Sequence, residues 1–156
     1  MFRDLNRLLK NREFISVATC DLEGRPNAVP KFLLKIEGKS IYLVDYTRGR
    51  TWDNLKINPR VSLSFMDTDS LMGYQVNGAA EVISAGALYN KIQREILNKQ
   101  IDLSAKRVIE GVTREKRHQN FEVAITDKIV ILKININEVV EIGPCGEIRR
   151  EGVCAL

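Results

Sequence analysis

The residues best suited to chemistry lie in one polar segment, 45–54, which reads Asp-Tyr-Thr-Arg-Gly-Arg-Thr-Trp-Asp-Asn. It joins the end of a predicted strand to the start of a predicted helix, where unpaired N–H groups create a partial positive charge. Two arginines, Arg48 and Arg50, flank Gly49, which lets the backbone approach a ligand closely. Arg50 can hold a phosphate through two parallel hydrogen bonds, and Thr51 can add its hydroxyl. The segment predicts a phosphate pocket, although basic loops before helices also occur without a ligand.

The other reactive side chains form no catalytic or metal-binding pattern. The chain has 156 residues, with one histidine, His118, and three cysteines that include no Cys-x-x-Cys pair. Neither a disulfide framework nor a zinc site is indicated by this spacing. Cys20 lies in an apolar run and is interpreted as a small buried hydrophobe. We therefore assign no catalytic residue and no metal ligand from the sequence.

Composition and charge favour a single globular domain, residues 1–156, with a small anionic ligand. Apolar residues make up 44% of the chain and the net charge is +4, a mild excess that suits either a small anion or a nucleic acid. Aromatic residues make up only 6% of the chain, which is few for a nucleic-acid-binding surface that stacks bases on aromatic side chains. No apolar run reaches the roughly 18 residues that cross a bilayer. We expect a cytoplasmic protein with no nucleic-acid or membrane partner.

Hydrophobic periodicity predicts the elements that must position the polar segment. A helix is expected over about residues 2–11, and a short one over 51–57 that ends before Asn58-Pro59. Strands are expected at 14–19, 27–36, 41–44, 60–66, 74–83, 129–136 and 139–142. The short turns between most of these strands imply antiparallel pairing, and few helices are available to cover both faces. The predicted fold is mainly β, an antiparallel β-barrel with helices.

Four further features refine this prediction. Helical periodicity returns in an excursion at about residues 85–117, with Ser104 as the candidate N-cap of a second helix. Pro30 argues for an edge or a bulge in the second strand, and Gly78 for a bulge or a close backbone approach. The polar tail after Gly143-Pro144 is expected to be mobile.

Several segments, in this order and spacing, resemble the pyridoxamine 5′-phosphate oxidase-like family of FMN-binding split β-barrels. The resemblance runs from about Leu8 to Ser84. Its pieces are Ile15-Ser16-Val17-Ala18-Thr19, Phe32-Leu33-Leu34-Lys35, Arg50-Thr51, Asn54-Leu55, Asn58-Pro59-Arg60-Val61-Ser62-Leu63 and Gly78-Ala79-Ala80-Glu81.

The resemblance implies a flavin mononucleotide (FMN) site built from two strands and the polar segment. The second strand would run beside the flavin ring, the end of the third along the ribityl chain, and Arg50 and Thr51 at the phosphate. Asn54 would brace the loop, and Lys35 matches a lysine near flavin and substrate. The implied cofactor-binding residues are Pro30, Lys31, Phe32, Lys35, Val44, Asp45, Arg48, Gly49, Arg50, Thr51 and Asn54.

Some of these residues also have a purely structural interpretation. Phe32 could belong to the core, Lys35 could be a solvent-facing strand lysine, and Asp45 could be a turn residue or an N-cap. Trp52, in the same segment, is interpreted as a packing or dimer residue rather than a flavin-stacking one. Pro30 stands where many relatives have an arginine, and the C-terminal half lacks the tryptophan and Arg-x-His set of the vitamin oxidases. The resemblance thus supports FMN binding better than any one reaction.

The expected function is an FMN-dependent oxidoreductase that acts on an unidentified small molecule. The family resemblance implies a homodimer with FMN at the interface. Two alternatives stay open: a non-enzymatic flavin or electron carrier, and a binder of haem or a deazaflavin. A haem protein needs an axial ligand, for which the sequence offers one histidine, His118.

Overall fold

Seven strands and three helices are formed by residues 2–10, 12–114 and 129–152, which are the residues that this computed structural model describes. Their order is α1 (Phe2–Leu9), β1 (Phe14–Cys20), β2 (Pro26–Glu37), β3 (Ser40–Asp45), α2 (Arg50–Ile57), β4 (Arg60–Asp67), β5 (Met72–Ile83), α3 (Ala87–Arg114), β6 (Val130–Ile142) and β7 (Ile148–Gly152). By Cα proximity the chain forms two units, Met1–Ile83 with Lys128–Leu156, and Ser84–Asp127. His118 and Cys154 lie outside the described residues.

The strands of the first unit close into a mainly β, antiparallel barrel, as predicted. Neighbouring strands follow the order β3-β2-β1-β4-β5-β6, and an additional β3–β6 pairing joins the two ends. Every pairing is antiparallel. The closure leaves the first six strands without a continuous open edge, so few backbone N–H and C=O groups are left unpaired for another chain to pair with.

Alternate side chains of these strands fill the barrel. In β1, Ile15, Val17 and Thr19 are buried while the residues between them are exposed. In β4, Val61 and Leu63 are buried in the same way, as the alternation in the sequence predicts. The apolar core of the barrel includes Leu33, Ile41, Leu43, Val76, Val130, Leu132, Ile134, Ile136 and Val139.

The C-terminal tail corrects one prediction, because part of it is a strand. The sequence predicts a mobile tail after Gly143-Pro144, whereas Ile148–Gly152 forms β7 and pairs antiparallel with the end of β6. β6 is a single 13-residue strand rather than two. Its first half pairs with β3 and its second half with β7. All five residues of β7 are exposed, so β7 is held by its ladder to β6 rather than by a buried face.

Pro30 lies where the second strand has an edge. The N–H of Leu33 donates to the carbonyl oxygen of Glu13 at 2.8 Å, so every second residue of β2 directs its backbone groups toward β1. Pro30 falls on the alternate positions, which face the opposite side. There, within the described residues, β3 pairs with β2 only from Phe32 onward. A residue without an N–H is tolerated at such a position.

Two irregularities bend the ladders. The register between β2 and β3 shifts between Leu33 and Lys35. A second shift lies in the β5–β6 ladder between Asn77 and Gly78, where the backbone oxygen of Asn135 occupies the space of a side chain on Gly78. Of the two alternatives predicted for Gly78, the close approach is observed at Gly78 itself, and the irregularity lies in the facing strand, where Asn137 has no partner in this ladder.

The second unit contains α3, a continuous helix of 28 residues. Ser104 lies inside this helix and does not begin a second one, which corrects the prediction of an N-cap there. The helix from Ala87 to Glu110 contains no glycine or proline, and an interior serine costs only a few tenths of a kcal/mol in helix propensity. The predicted excursion extends to residue 117, but residues 115–117 lie outside the described part. No helix among the described residues is long and apolar enough to cross a membrane.

Candidate functional site

The polar segment ends on the first turn of α2, as its sequence predicts. Gly49 is the N-cap and has extended backbone angles, φ −104° and ψ −159°. In the described part of the chain no side chain caps this end, and a glycine brings none of its own. The N–H of Asp53 donates to the carbonyl oxygen of Gly49 at 3.2 Å, which begins the helical ladder. The N–H groups before Asp53 therefore have no partner within the helix and can bind an anion.

A buried network of polar side chains fixes this helix start to the barrel. The side-chain amide of Asn27 donates to the hydroxyl oxygens of Thr51 at 3.1 Å and Thr19 at 3.3 Å. The amide of Asn54 donates to the Thr19 oxygen at 3.1 Å. Thr19, Thr51 and Asn54 are all at most 5% exposed. The network joins β1, β2 and α2, so the helix end of the polar segment is held against the barrel.

The direction of these hydrogen bonds leaves Thr51 able to donate. Its oxygen accepts a hydrogen bond from the Asn27 amide, so its own hydroxyl hydrogen remains to donate to another acceptor. Asn54 braces the helix on β1 through Thr19. Contact of Thr51 or Asn54 with a cofactor remains a prediction, as it does for the other residues of the implied set.

A buried ion pair lies at the junction of β2 and β3. The ammonium of Lys31 is 2.7 Å from Asp45 Oδ1, with side-chain exposures of 9% and 3%. Lys31 is paired across the ladder with the inward-facing Ile15, so both charges are on the inner side of the sheet. The same Asp45 oxygen accepts the backbone N–H of Thr47 at 3.1 Å and its hydroxyl at 3.3 Å. Asp45 is thus a turn residue, and the N-cap of α2 is Gly49.

The arginines of the segment are on its surface. Arg48 and Arg50 are exposed, and the Arg48 guanidinium is 5.3 Å from the centre of the Trp52 ring. The Lys56 ammonium is 4.7 Å from the same ring. Trp52 is half-buried and packs against the barrel core, consistent with its interpretation as a packing residue. The loop therefore presents an exposed positive surface around the start of α2.

The outer side of the β2–β3 junction is aromatic. Phe32 is 5% exposed. The centre of its ring is 5.9 Å from that of Phe14 and 6.3 Å from that of Tyr46, and both pairs are edge to face. Val44 is opposite Phe32 in the ladder and is also buried. Phe14 is 54% exposed, so the aromatic group reaches the surface of the barrel beside the unpaired edge at Pro30.

Lys35 lies apart from the residues around α2. Its ammonium is 3.4 Å from Glu37 Oε2 and 5.1 Å from the centre of the Tyr42 ring. The irregularity between Leu33 and Lys35 separates it from the Phe32–Val44 pair. These contacts are those of a partly solvent-facing strand lysine. Its proposed place near a flavin and substrate stays a prediction.

Thr19 and Asn27 complete the network but were not among the predicted site residues. A signal for Thr19 was present, because it continues the inward positions of Ile15 and Val17, where a polar side chain needs a partner. Asn27 is directly opposite Thr19 in the β1–β2 ladder. Its part in the network follows only once that register is known.

A groove of about 510 Å³ lies on the barrel beside this network. It is lined by the end of β1, the starts of β2 and β4 and the middle of β5 and β6, with Thr19, Ser62 and Asn77 among its polar groups. The amide of Asn77 donates to Glu138 Oε2 at 2.8 Å, and this hydrogen bond is the main cause that lowers the pKa of the Glu138 carboxyl. Among the four network residues, Thr19, Asn27, Thr51 and Asn54, the groove is lined by Thr19 alone. The groove therefore lies next to the network, and the start of α2 is not part of its lining.

The family model described as pyridoxamine 5′-phosphate oxidase matches residues 1–137. No curated protein matches the chain. At the identities below, likeness to solved structures shows the fold alone.

Three solved structures share the fold. A Clostridium acetobutylicum protein related to general stress protein 26 of B. subtilis, of the pyridoxinephosphate oxidase family, is 18% identical with a TM-score of 0.67, and the match covers 97% of this chain and 93% of that one. A pyridoxamine 5′-phosphate oxidase-related, FMN-binding protein of Nostoc punctiforme PCC 73102 is 15% identical with a TM-score of 0.57, covering 96% and 92%. An F420 reductase is 18% identical with a TM-score of 0.55, covering 86% and 94%.

Proposed function

This chain belongs to the pyridoxamine 5′-phosphate oxidase-like family, and on that premise we propose that it binds FMN and serves as an FMN-dependent oxidoreductase for a small molecule. The observation that carries the proposal is the start of α2. There an uncapped helix end, the Thr51 hydroxyl and the exposed Arg50 come together on a turn fixed to the barrel.

The residues present fit a phosphate ester. A dianionic phosphate needs several donors and a positive potential, and the first turn of α2 supplies N–H groups with the helix dipole. Arg50 adds a guanidinium that can bind two oxygens, and Thr51 adds a hydroxyl donor. Arg48 contributes charge to the same loop. Asn27 and Asn54 hold the turn in place before any ligand binds, which reduces the entropy lost on binding.

The strand edge at Pro30 fits the polar rim of a flavin ring. The backbone of β2 before Phe32 has alternate groups that face away from β1, so they can exchange hydrogen bonds with a ligand. Phe32 and Val44 provide the apolar floor next to that edge. When bound, FMN supplies the hydride and electron transfer that side chains cannot. The chain orients the cofactor and excludes water from one side of it.

The first test is a titration of cofactor-free protein with FMN, in which flavin fluorescence reports binding. We expect stoichiometric binding, and Arg50→Ala should raise Kd about tenfold, a loss of about 1.4 kcal/mol. Arg149→Ala is the matched control, because Arg149 is an exposed arginine of β7 outside the polar segment, and it should leave Kd unchanged. Absence of FMN binding by the wild-type protein would contradict the proposal.

A deazaflavin is the second candidate cofactor, favoured by the structural likeness to an F420 reductase. The same titration with a deazaflavin separates the two, since the proposed cofactor should bind more tightly. Turnover of bound FMN with reduced nicotinamide and an acceptor then distinguishes an enzyme from an electron carrier. A protein that binds FMN yet shows no turnover with any donor would be assigned to the carrier class.

A further inference from the structure

We propose that the buried Lys31–Asp45 ion pair positions the polar segment, residues 45–54, so that Lys31 controls discrimination between FMN and flavins without a phosphate. This inference rests on the proposed function. It concerns a side chain that points to the inner side of the barrel and would act on the ligand only through Asp45 and the loop.

The geometry links Lys31 to the loop through one oxygen atom. Asp45 Oδ1 accepts the Lys31 ammonium at 2.7 Å and both donors of Thr47, the N–H at 3.1 Å and the hydroxyl at 3.3 Å. The carboxylate is therefore fixed from the barrel side and in turn fixes the backbone at Thr47. Three residues later the chain enters α2 at Arg50.

Burial makes this pair effective as a constraint. Side-chain exposures of 9% for Lys31 and 3% for Asp45 mean that water screens the attraction little and that neither charge can leave without an unpaired partner remaining. Surface pairs of the same chain are different. Lys133 is 3.4 Å from Glu81, with exposures of 28% and 57%, and such pairs are weak and readily exchanged for water.

The constraint acts at the β3 end of the segment, next to the ring contact of Tyr46 with Phe32. The start of α2 is fixed by Asn27 through Thr51, whereas the exit from β3 is fixed by Asp45 through Thr47. With both ends held, residues 48–50 span a defined gap, and the N–H groups that face a phosphate keep their spacing. Loss of the β3 anchor should therefore loosen the phosphate contacts and leave the flavin-ring edge at Pro30 in place.

The experiment compares FMN with riboflavin, which lacks the phosphate. In Lys31→Met, which keeps side-chain length and removes the charge, the affinity for FMN should fall about tenfold, roughly 1.4 kcal/mol, and that for riboflavin should not change. Lys133→Met removes a partly exposed lysine from the same barrel and should leave both affinities unchanged. Amide exchange at Thr47, measured without cofactor, should be faster in Lys31→Met than in wild type.

The outcomes separate this inference from the proposed function. Wild-type protein that does not bind FMN overturns the proposed function. Wild-type protein that binds FMN, with an unchanged FMN-to-riboflavin ratio and unchanged Thr47 exchange in Lys31→Met, overturns the positioning role alone. Should Lys31→Met fail to fold, the neutral double variant Lys31→Met with Asp45→Asn leaves no unpaired buried charge. It should show the same loss of FMN preference, and an unchanged preference in it also overturns the role.

Discussion

At the scale of single residues, Thr51 combines a structural and a proposed binding role in one hydroxyl. Its oxygen accepts the Asn27 amide and its proton remains for a ligand. The structural role alone would be served by any acceptor at this place. The binding role requires a donor next to the N–H groups of the helix start, and this difference makes the two roles separable by substitution.

We predict that Thr51→Val weakens FMN binding about tenfold, roughly 1.4 kcal/mol, because valine has nearly the same shape and no hydroxyl. The variant also removes one of the two hydroxyl acceptors of the half-buried Asn27 amide, which should lower the free energy of unfolding by about 1 kcal/mol. Thr51→Ser is the control and should retain most of the FMN affinity. Isothermal titration with FMN and with riboflavin measures the effect. Equal weakening for both ligands would show that Thr51 acts only on the fold.

At the scale of secondary-structure elements, the ladder between β5 and β6 depends on a glycine. A Cβ atom on Gly78 would collide with the backbone oxygen of Asn135 and lie 3.2 Å from Ile134 Cγ2. The oxygen belongs to a strand that is paired on both sides, so it cannot move aside without breaking a ladder. The close approach therefore requires the absence of a side chain.

We predict that Gly78→Ala destabilises the protein by about 1–3 kcal/mol, the range for overpacking a well-packed site. Gly152→Ala in β7 is the matched control, because a Cβ there meets no atom within 4 Å, and it should change stability by less than about 0.5 kcal/mol. Urea unfolding, monitored by the fluorescence of Trp52, gives the free energy of unfolding of both variants. If Gly78→Ala unfolds at the same urea concentration as the wild-type protein, the close approach at Gly78 is refuted.

The sequence predicts well those strands in which buried and exposed residues alternate. β1 buries every second residue and the first half of β4 does the same, so their pattern can be recognised from the local sequence. β7 has no such pattern because all its residues are exposed, and it forms only through pairing with β6. The candidate site divides in the same way. The types of Gly49, Arg50 and Thr51 indicate an anion site locally, whereas the Asn27 contacts and the Lys31–Asp45 pair depend on strand register.

At the scale of the whole first unit, the interior of the barrel is occupied by the core side chains of the described residues. Core side chains from the strands and from α1 fill it, and Val17, Leu43, Leu63 and Leu132 are completely buried. A flavin bound to this barrel must therefore lie on its outer surface, beside β2 and the start of α2. One barrel surface covers only one side of such a ligand, and ligand sites usually bury most of the ligand.

We predict that the protein is a homodimer with FMN between the subunits, in keeping with the family resemblance. Light scattering should give the mass of two chains of 17.7 kDa each. Phe14 is 54% exposed beside Phe32 and the edge of β2, so Phe14→Asp should place a charge in the interface, yield monomers and release FMN.

Leu71→Asn is the control for this prediction. Leu71 is exposed to a similar degree, 56%, and its positive φ of 56° is one that asparagine adopts readily. It should therefore leave both mass and FMN content unchanged. A monomer of wild-type sequence that retains stoichiometric FMN on dilution would show that one barrel encloses the cofactor alone.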